Sequence, residues 1–392
     1  EGYRAMVDAL HQHRMGLLQD IVPNHMAIIA AENSWWNDVL ENGQSSPFAR
    51  CFDIDWHPIT PFLDNKILLP LLGSQYGEVL EAGELQLEYR DGGFFVRYWS
   101  RHLPLDPRTY PLILGHRQAE LIEALGEDSE AAREFASIRT ALDYLPATTD
   151  TSAERIAERQ REKEIIKNRL RRLTAEHPPV LEFIEQNLRE LNGTPGDPRS
   201  FDRLDALLNA QVFRLARWKA AADEVNYRRF FDVNELIALC TEQPQVFEMI
   251  HQRTLALLVR GDVDALRVDH IDGLYDPLEY LWRLQWGYVK ALARVEYDRL
   301  LAASSLPDGA TVTPASPAAA EPRWEQIEPQ VTQELRGELG TLPPAPLLPL
   351  YSVVEKILGP DEPLPQEWPV AGTTGYDFLN LLNRLLVDRA GL

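Results

Sequence analysis

Three short apolar runs, each ending in polar or acidic side chains, constrain the fold of this chain more than any other feature. Leu17, Leu18, Ile21 and Val22 surround Asp20 and lead to Asn24 and His25, with Pro23 closing the run. VDALRVDHI (263–271) carries Arg267, Asp269 and His270, and Asp272 follows it. LLPLYSVVEKI (347–357) ends in Glu355 and Lys356. Each run has the length and apolar density of a buried strand. Helical patterns stand between them: 3–14, with apolar spacing at Tyr3, Met6, Val7 and Leu10, then 244–260, 277–295 and 373–386. Helix, apolar strand and a polar strand end, repeated, is the grammar of an α/β fold. In α/β barrels that end of the strand carries the chemistry.

A long excursion interrupts the repeat. ELQLEY (84–89) and GFFVRYW (93–99) both alternate and flank Asp91-Gly92, which predicts a hairpin. From 117 to 219 the patterns are helical. The segment 154–173 holds eight basic and four acidic residues, and such mixing predicts a solvated helix face with charge pairs one turn apart. Residues 201–222 predict a second long amphipathic helix. The Ala/Pro/Ser-rich stretch 302–322 predicts a loosely packed or disordered insertion, extending to about 345. The resulting organisation is a first α/β segment over 1–50, an insertion over 51–225, and a second α/β segment over 226–392. The chain opens on Glu1 and closes just after a helical pattern, so it reads as a segment of a longer protein.

Charge and composition narrow the partners. Lys plus Arg is 39 against 60 for Asp plus Glu, a net charge of −21. That argues against a general nucleic-acid or anionic-membrane binder and suits a neutral ligand such as a sugar. No apolar run is long enough to span a bilayer, and no signal peptide is visible. The two cysteines, Cys51 and Cys240, stand alone, which implies a reducing, cytoplasmic setting.

The ionisable residues at the strand ends are the candidates for chemistry. Arg267 and Asp269 lie two apart on a strand and share a face, so the guanidinium can hold the carboxylate ionised. A structural ion pair is the competing explanation. Glu355 ends an apolar strand with no adjacent arginine, which suits a proton-carrying role. Glycoside chemistry needs such a pair, one carboxylate ionised and one protonated. Asp20, His25, Asp269, His270 and Asp272 are also metal-ligand types, but no metal-binding spacing is present and no metal is expected. Nucleotide-binding glycine loops are missing as well.

DIVPNH (20–25), LRVDH (266–270) and VVEKI (353–357), in that order, resemble conserved regions of the α-amylase superfamily. WWNDVLENGQSSPFARCFDIDW (35–56), FDRLDALLNAQVFRLARWKAAADEVNYRRFFDVNEL (201–236), VDHIDGLYDP (268–277) and TTGYDFLN (373–380) resemble the maltooligosyl trehalose synthase family within it. The resemblance covers nearly all of the chain except 302–345. It implies part of a (β/α)8 barrel, strands three to five, with a long and largely helical insertion after strand three. Asp269 is then the nucleophile and Glu355 the general acid/base. Arg267 orients Asp269, and His25 and His270 bind the sugar. Asp20 and Asn24 are the structural members of the first motif. Tyr227, Arg228 and Arg229 lie near the substrate. The implied reaction converts the reducing-end α-1,4 linkage of a maltooligosaccharide into an α,α-1,1 linkage, as an isomerase of trehalose biosynthesis. It needs no cofactor, and a hydrolase that acts on the product is the implied pathway partner.

The resemblance also implies missing parts. The first two barrel strands would precede Glu1, and a third carboxylate would follow Leu392. The isolated segment is therefore expected to be inactive. An α-1,4-glucan hydrolase or another transglycosylase of the superfamily would share the same catalytic pair. A glucan-binding protein without activity would be expected to have lost Asp269 or Glu355, and both are present.

Overall fold

A computed structural model describes residues 1–28, 33–304, 323–339, 348–359, 361–387 and 391. The chain divides into two compact units, one made of 1–24 and 240–392 and the other of 25–239.

The first unit is α/β. Its sheet is parallel, in the order Leu18–Ile21, Ala265–Val268, Tyr351–Val354 and Gly372–Thr373. Parallel neighbours require crossovers. Helices Pro277–Ser304 and Trp324–Leu339 make the one between the second and third strands. Helix Pro244–Val259 leads into the second strand, and Gly261, at φ +72°, supplies the left-handed residue just beyond the helix end. One face of the sheet is buried: Leu266, Val268 and Val354 pack with Leu258, Leu281 and Leu284. The other face is open, with Leu18 46% and Tyr351 52% exposed. The expectation of buried strands therefore holds for one face only. Gln285 ties helix to sheet, its buried amide donating to the Leu350 and Pro369 carbonyls and accepting from the Leu350 N–H.

The expected loose stretch over 302–345 needs correction. The helix from Pro277 continues to Ser304, and Trp324–Leu339 is helical despite Pro329. The second of these helices is held by the Tyr297–Trp324 ring contact and the Lys290–Glu328 ion pair. Its amphipathic pattern was obscured by the Ala/Pro-rich residues before it. Residues 305–322 and 340–347 lie outside the described residues.

His251, on the Pro244–Val259 helix, is buried and stacked on Phe247. Its Nδ1 faces the Phe247 carbonyl at 2.9 Å, so that nitrogen carries the proton. Its Nε2 therefore accepts from the Tyr280 hydroxyl at 2.7 Å. Burial pushes the imidazole down from 6.5 to about 4, and Arg283 adds to the shift. The unfolded chain thus binds a proton in this window that the folded chain refuses, and stability falls as pH drops from 6.5 towards 4. Between pH 7 and 5 this residue alone should remove about 2 kcal/mol. Urea midpoints of wild type and His251→Gln at the two pH values test this, and an equal acid loss in both proteins would count against it.

The second unit is mixed. Leu85–Arg90, Gly93–Tyr98 and Arg101–Pro104 form an antiparallel meander. The predicted hairpin turn is present, with Asp91 and Gly92 both at positive φ, as a two-residue hairpin loop requires. Ile67–Leu72 pairs in parallel with Phe213–Arg217. That pairing corrects the expected helix over 201–222. The α-helix there is Asp202–Asn209, with a short 3-10 helix at Trp218–Ala222, and between them Phe213 and Leu215 alternate with Arg214 at the strand period. Helix formers on both sides concealed the change of period. His25–Ala27 pairs antiparallel with Leu236–Ala238, which places the unit boundaries at 24/25 and 239/240, outside the expected 51–225.

The basic helix, Ala153–Glu176, is not simply a solvated face. Arg159 is 0% exposed and Lys163 is 3% exposed. Arg159 donates to Asp106 at 2.6 Å and Asn42 at 2.9 Å, and Lys163 to Asp38 at 2.7 Å and Glu41 at 2.9 Å. Burial by itself would raise the Glu41 carboxyl, but Lys167 and Lys163 outweigh it and hold it below its usual value.

Candidate active site

The site of the first unit is built where its parallel strands end. Backbone hydrogen bonds continue one residue past the strands: Asp269 N–H to the Ile21 carbonyl at 2.9 Å, Glu355 N–H to Val268 at 2.8 Å, and Thr374 N–H to Val354 at 3.0 Å. Val354 is in register with Val268, so Glu355 and Asp269 stand side by side on adjacent strands. Neighbouring strands lie about 4.8 Å apart, and residues in register point the same way. The two carboxylates therefore leave the sheet in parallel.

Arg267 organises one of them. Its Nη1 donates to Asp269 Oδ1 at 2.6 Å and to both Asp20 oxygens at 3.0 Å. Burial disfavours the guanidinium charge, but the hydrogen bonds it donates to Asp20 and Asp269 outweigh that and raise Arg267 further. Asp20 is thus an anchor for Arg267, and Arg267 an anchor for Asp269. Glu355 has no arginine partner among the described residues. Its Oε2 accepts from the His270 backbone N–H at 3.1 Å. That N–H is turned toward it because His270 adopts a left-handed backbone, at φ +47°.

Gly273 contributes by having no side chain. A Cβ there would fall 2.3 Å from the His270 ring and 2.7 Å from Asn24 Oδ1. Asn24 is 2% exposed. The imidazole and the amide thus converge in the space the glycine leaves. Lys356 makes a second tie between strand ends, bonding Asp272 at 3.1 Å and Glu362 at 2.8 Å. The bond to Glu362, reinforced by Asp272 and opposed by burial, raises the Lys356 ammonium above its usual value.

The structure thus brings together Asp20, Asn24, Arg267, Asp269, His270 and Glu355. His25, Tyr227, Arg228 and Arg229 belong to the second unit. There the His25 ring lies 4.2 Å from Phe230. The Tyr227 hydroxyl donates to the Asn234 carbonyl at 3.0 Å, so its polar end is occupied by the framework. Arg228 pairs with Asp53 at 2.7 Å, and Arg229 with Asp232 at 3.3 Å. Gly273 and Thr374 were not anticipated as site residues. Thr374 Oγ1 is buried without a partner among the described residues, one position past the strand beside Glu355. Gly273 lies within the VDHIDGLYDP segment of the resemblance, which assigned it no role. No cluster that could hold a metal ion occurs among the described residues.

Two carboxylates on adjacent parallel strand ends, one gripped by arginine and one not, form a pair of the type that works on glycosidic bonds. Comparison with known proteins gives a narrower answer. No family model matches the chain. The chain is similar over its whole length to a provisionally named maltooligosyl trehalose synthase of Mycobacterium tuberculosis (strain H37Rv), 26% identical over 392 residues. It spans 30% of that relative's length. Among solved structures, maltooligosyltrehalose synthase from Arthrobacter ramosus is 25% identical with a TM-score of 0.54, matching 100% of this chain and 31% of its own. A glycosyltrehalose synthase described as DSM5389 is 25% identical with a TM-score of 0.53, matching 100% of this chain and 33% of its own. The neighbours in sequence and in structure therefore carry names for one trehalose-forming activity. No helix among the described residues is long and apolar enough to cross a membrane.

Proposed function

We propose that the protein carrying this chain rearranges the reducing end of a maltooligosaccharide, turning its α-1,4 linkage into α,α-1,1. The observation that supports this most is the side-by-side placement of Asp269 and Glu355 with Arg267 on Asp269 alone. Strands Leu18–Ile21, Ala265–Val268 and Tyr351–Val354 are proposed as strands three to five of a (β/α)8 barrel. Adjacent strand ends allow carboxylates roughly 5–5.5 Å apart, the retaining geometry.

The proposed chemistry has two displacements. An Asp269 oxygen attacks the anomeric carbon as Glu355 gives its proton to the departing glucose oxygen. The α-1,4 bond breaks and a glycosyl ester of Asp269 forms. The released glucose turns, and its anomeric hydroxyl attacks the same carbon while yielding its proton to Glu355. Asp269 leaves as a carboxylate and Glu355 is again protonated, so the cycle balances without a cofactor. His270 and Asn24 are proposed to bind the sugar beside the pair, and Asp20 to support Arg267. Substrate-binding roles for His25, Tyr227, Arg228 and Arg229 are proposed on the resemblance. A hydrolase acting on the trehalosyl end is the proposed pathway partner, and a cytoplasmic setting the proposed location.

Proton NMR of maltopentaose incubated with the intact protein is the test. The reducing-end anomeric signals should disappear as an α,α-1,1 signal grows, with no new chain ends. Multiplying reducing ends would identify a hydrolase and overturn the rearrangement, leaving the carboxylate pair in place.

A further inference from the structure

In the second unit, a cavity of about 450 Å³ is lined by Lys66, Arg214, Arg217 and Lys219. This is unexpected in a chain whose net charge is −21. Among the described residues, none of these four cations has a carboxylate oxygen within 4.0 Å. Glu224 is the acidic side chain in the lining. Arg217 Nε is buried and has no hydrogen-bond partner among the described residues. Lys66 is held in place by the Asn209 and Gln211 carbonyls at 2.6 and 2.7 Å. Burial, and then the neighbouring Arg214, push its ammonium below its ordinary value. Arg214 itself lies over the Phe62 ring, 5.0 Å from its centroid.

Gathering four cations around one carboxylate, with none of them in an ion pair among the described residues, costs free energy that an anion would recover. The volume falls in the range of small-molecule sites, roughly 300–1,000 Å³. All four cations line this one cavity, which fits a compact anion. Guanidinium forks favour phosphate oxygens. We propose that this cavity binds a small phosphomonoester, separately from the strand-end carboxylates and independently of the reaction they carry out.

The experiment is calorimetric titration of the intact protein at low salt with glucose 6-phosphate and inorganic phosphate, and with glucose as the uncharged control. Glucose 6-phosphate should bind, and glucose should not. Raising the salt should weaken binding, as should Arg214→Ala combined with Lys219→Ala, the latter by roughly tenfold or more. Arg214 and Lys219 are both exposed, so the double variant should remain folded. Arg161→Ala, which removes an exposed cation elsewhere in the unit, should leave affinity unchanged. Failure of both phosphate ligands to bind would overturn the proposal. So would unchanged affinity in the double variant, an equal loss in Arg161→Ala, or glucose binding as tightly as its phosphate.

Discussion

Asp269→Asn should reduce turnover of maltooligosaccharides by the intact protein by on the order of 10³ or more, because an amide cannot form the glycosyl ester on which both proposed displacements depend. Glu355→Gln should cost on the order of 10²–10⁴, the usual worth of a positioned acid and base. The two variants are expected to part company on an activated substrate. A maltosyl donor whose leaving group departs without a proton no longer needs Glu355 for the first step. Glu355→Gln should then release the leaving group at close to the wild-type rate and stall at the ester, whereas Asp269→Asn should remain inactive. Equal loss of first-step rate in both variants would refute the division of roles. Loss of neither would show that the strand-end pair is not catalytic. Asp269 is bonded to Arg267, which is also bonded to Asp20, so Asp20→Ala should act indirectly by releasing the guanidinium from one of its anchors.

The largest effect on stability is expected in the second unit. Arg159→Met should destabilise the second unit by roughly 3–5 kcal/mol, the cost of breaking a buried ion pair from one side. The methionine fills the space but takes the donor from Asn42 Oδ1 and the counter-charge from Asp106, whose Oδ1 keeps the Arg108 backbone N–H at 3.0 Å. The Glu41 backbone carbonyl, which accepts from the same guanidinium at 3.3 Å, also loses its partner. Combining the change with Asp106→Asn should recover part of the loss, since the stranded charge is then removed. A urea midpoint for Arg159→Met within error of wild type would show that the pair contributes nothing. A surface arginine such as Arg161 provides the scale, with an expected change of roughly half a kcal/mol or less.

The contrast between these two regions explains what could be read from the sequence. Arg267 and Asp269 share a face by strand parity, and that parity needs no tertiary knowledge. Glu355 ends an apolar run with no adjacent arginine, a weak signal by itself that gained weight from the ordered motifs before it. Arg159 gave the opposite signal. It sits in a helix of mixed charges, where pattern alone predicts water, and its burial depends on Asp106 and Asn42, distant in sequence. The strand Phe213–Arg217 was hidden for a related reason, since its partner Ile67–Leu72 lies far upstream. Gly273 was missed because its role is defined by the space it leaves for His270 and Asn24. Local pattern found the groups that carry charge at strand ends, whereas partners from distant segments were needed to find the rest.

The hairpin Leu85–Tyr98 ties these distant partners into one system. Its Gly92 lies so close to the Lys167 carbonyl that an added Cβ would sit 2.1 Å from it. Its Tyr89 hydroxyl meets Thr174 at 3.1 Å, and its Leu87 N–H donates to Asn192 at 2.6 Å. Lys167 and Thr174 belong to the helix whose earlier turns bury Arg159 and Lys163. The turn, the helix and the buried charges therefore cannot come apart in sequence, one fraying while the others hold. Opening any of them exposes polar groups on the others, so this part of the second unit is expected to open as a single foldon, its amides exchanging with solvent together.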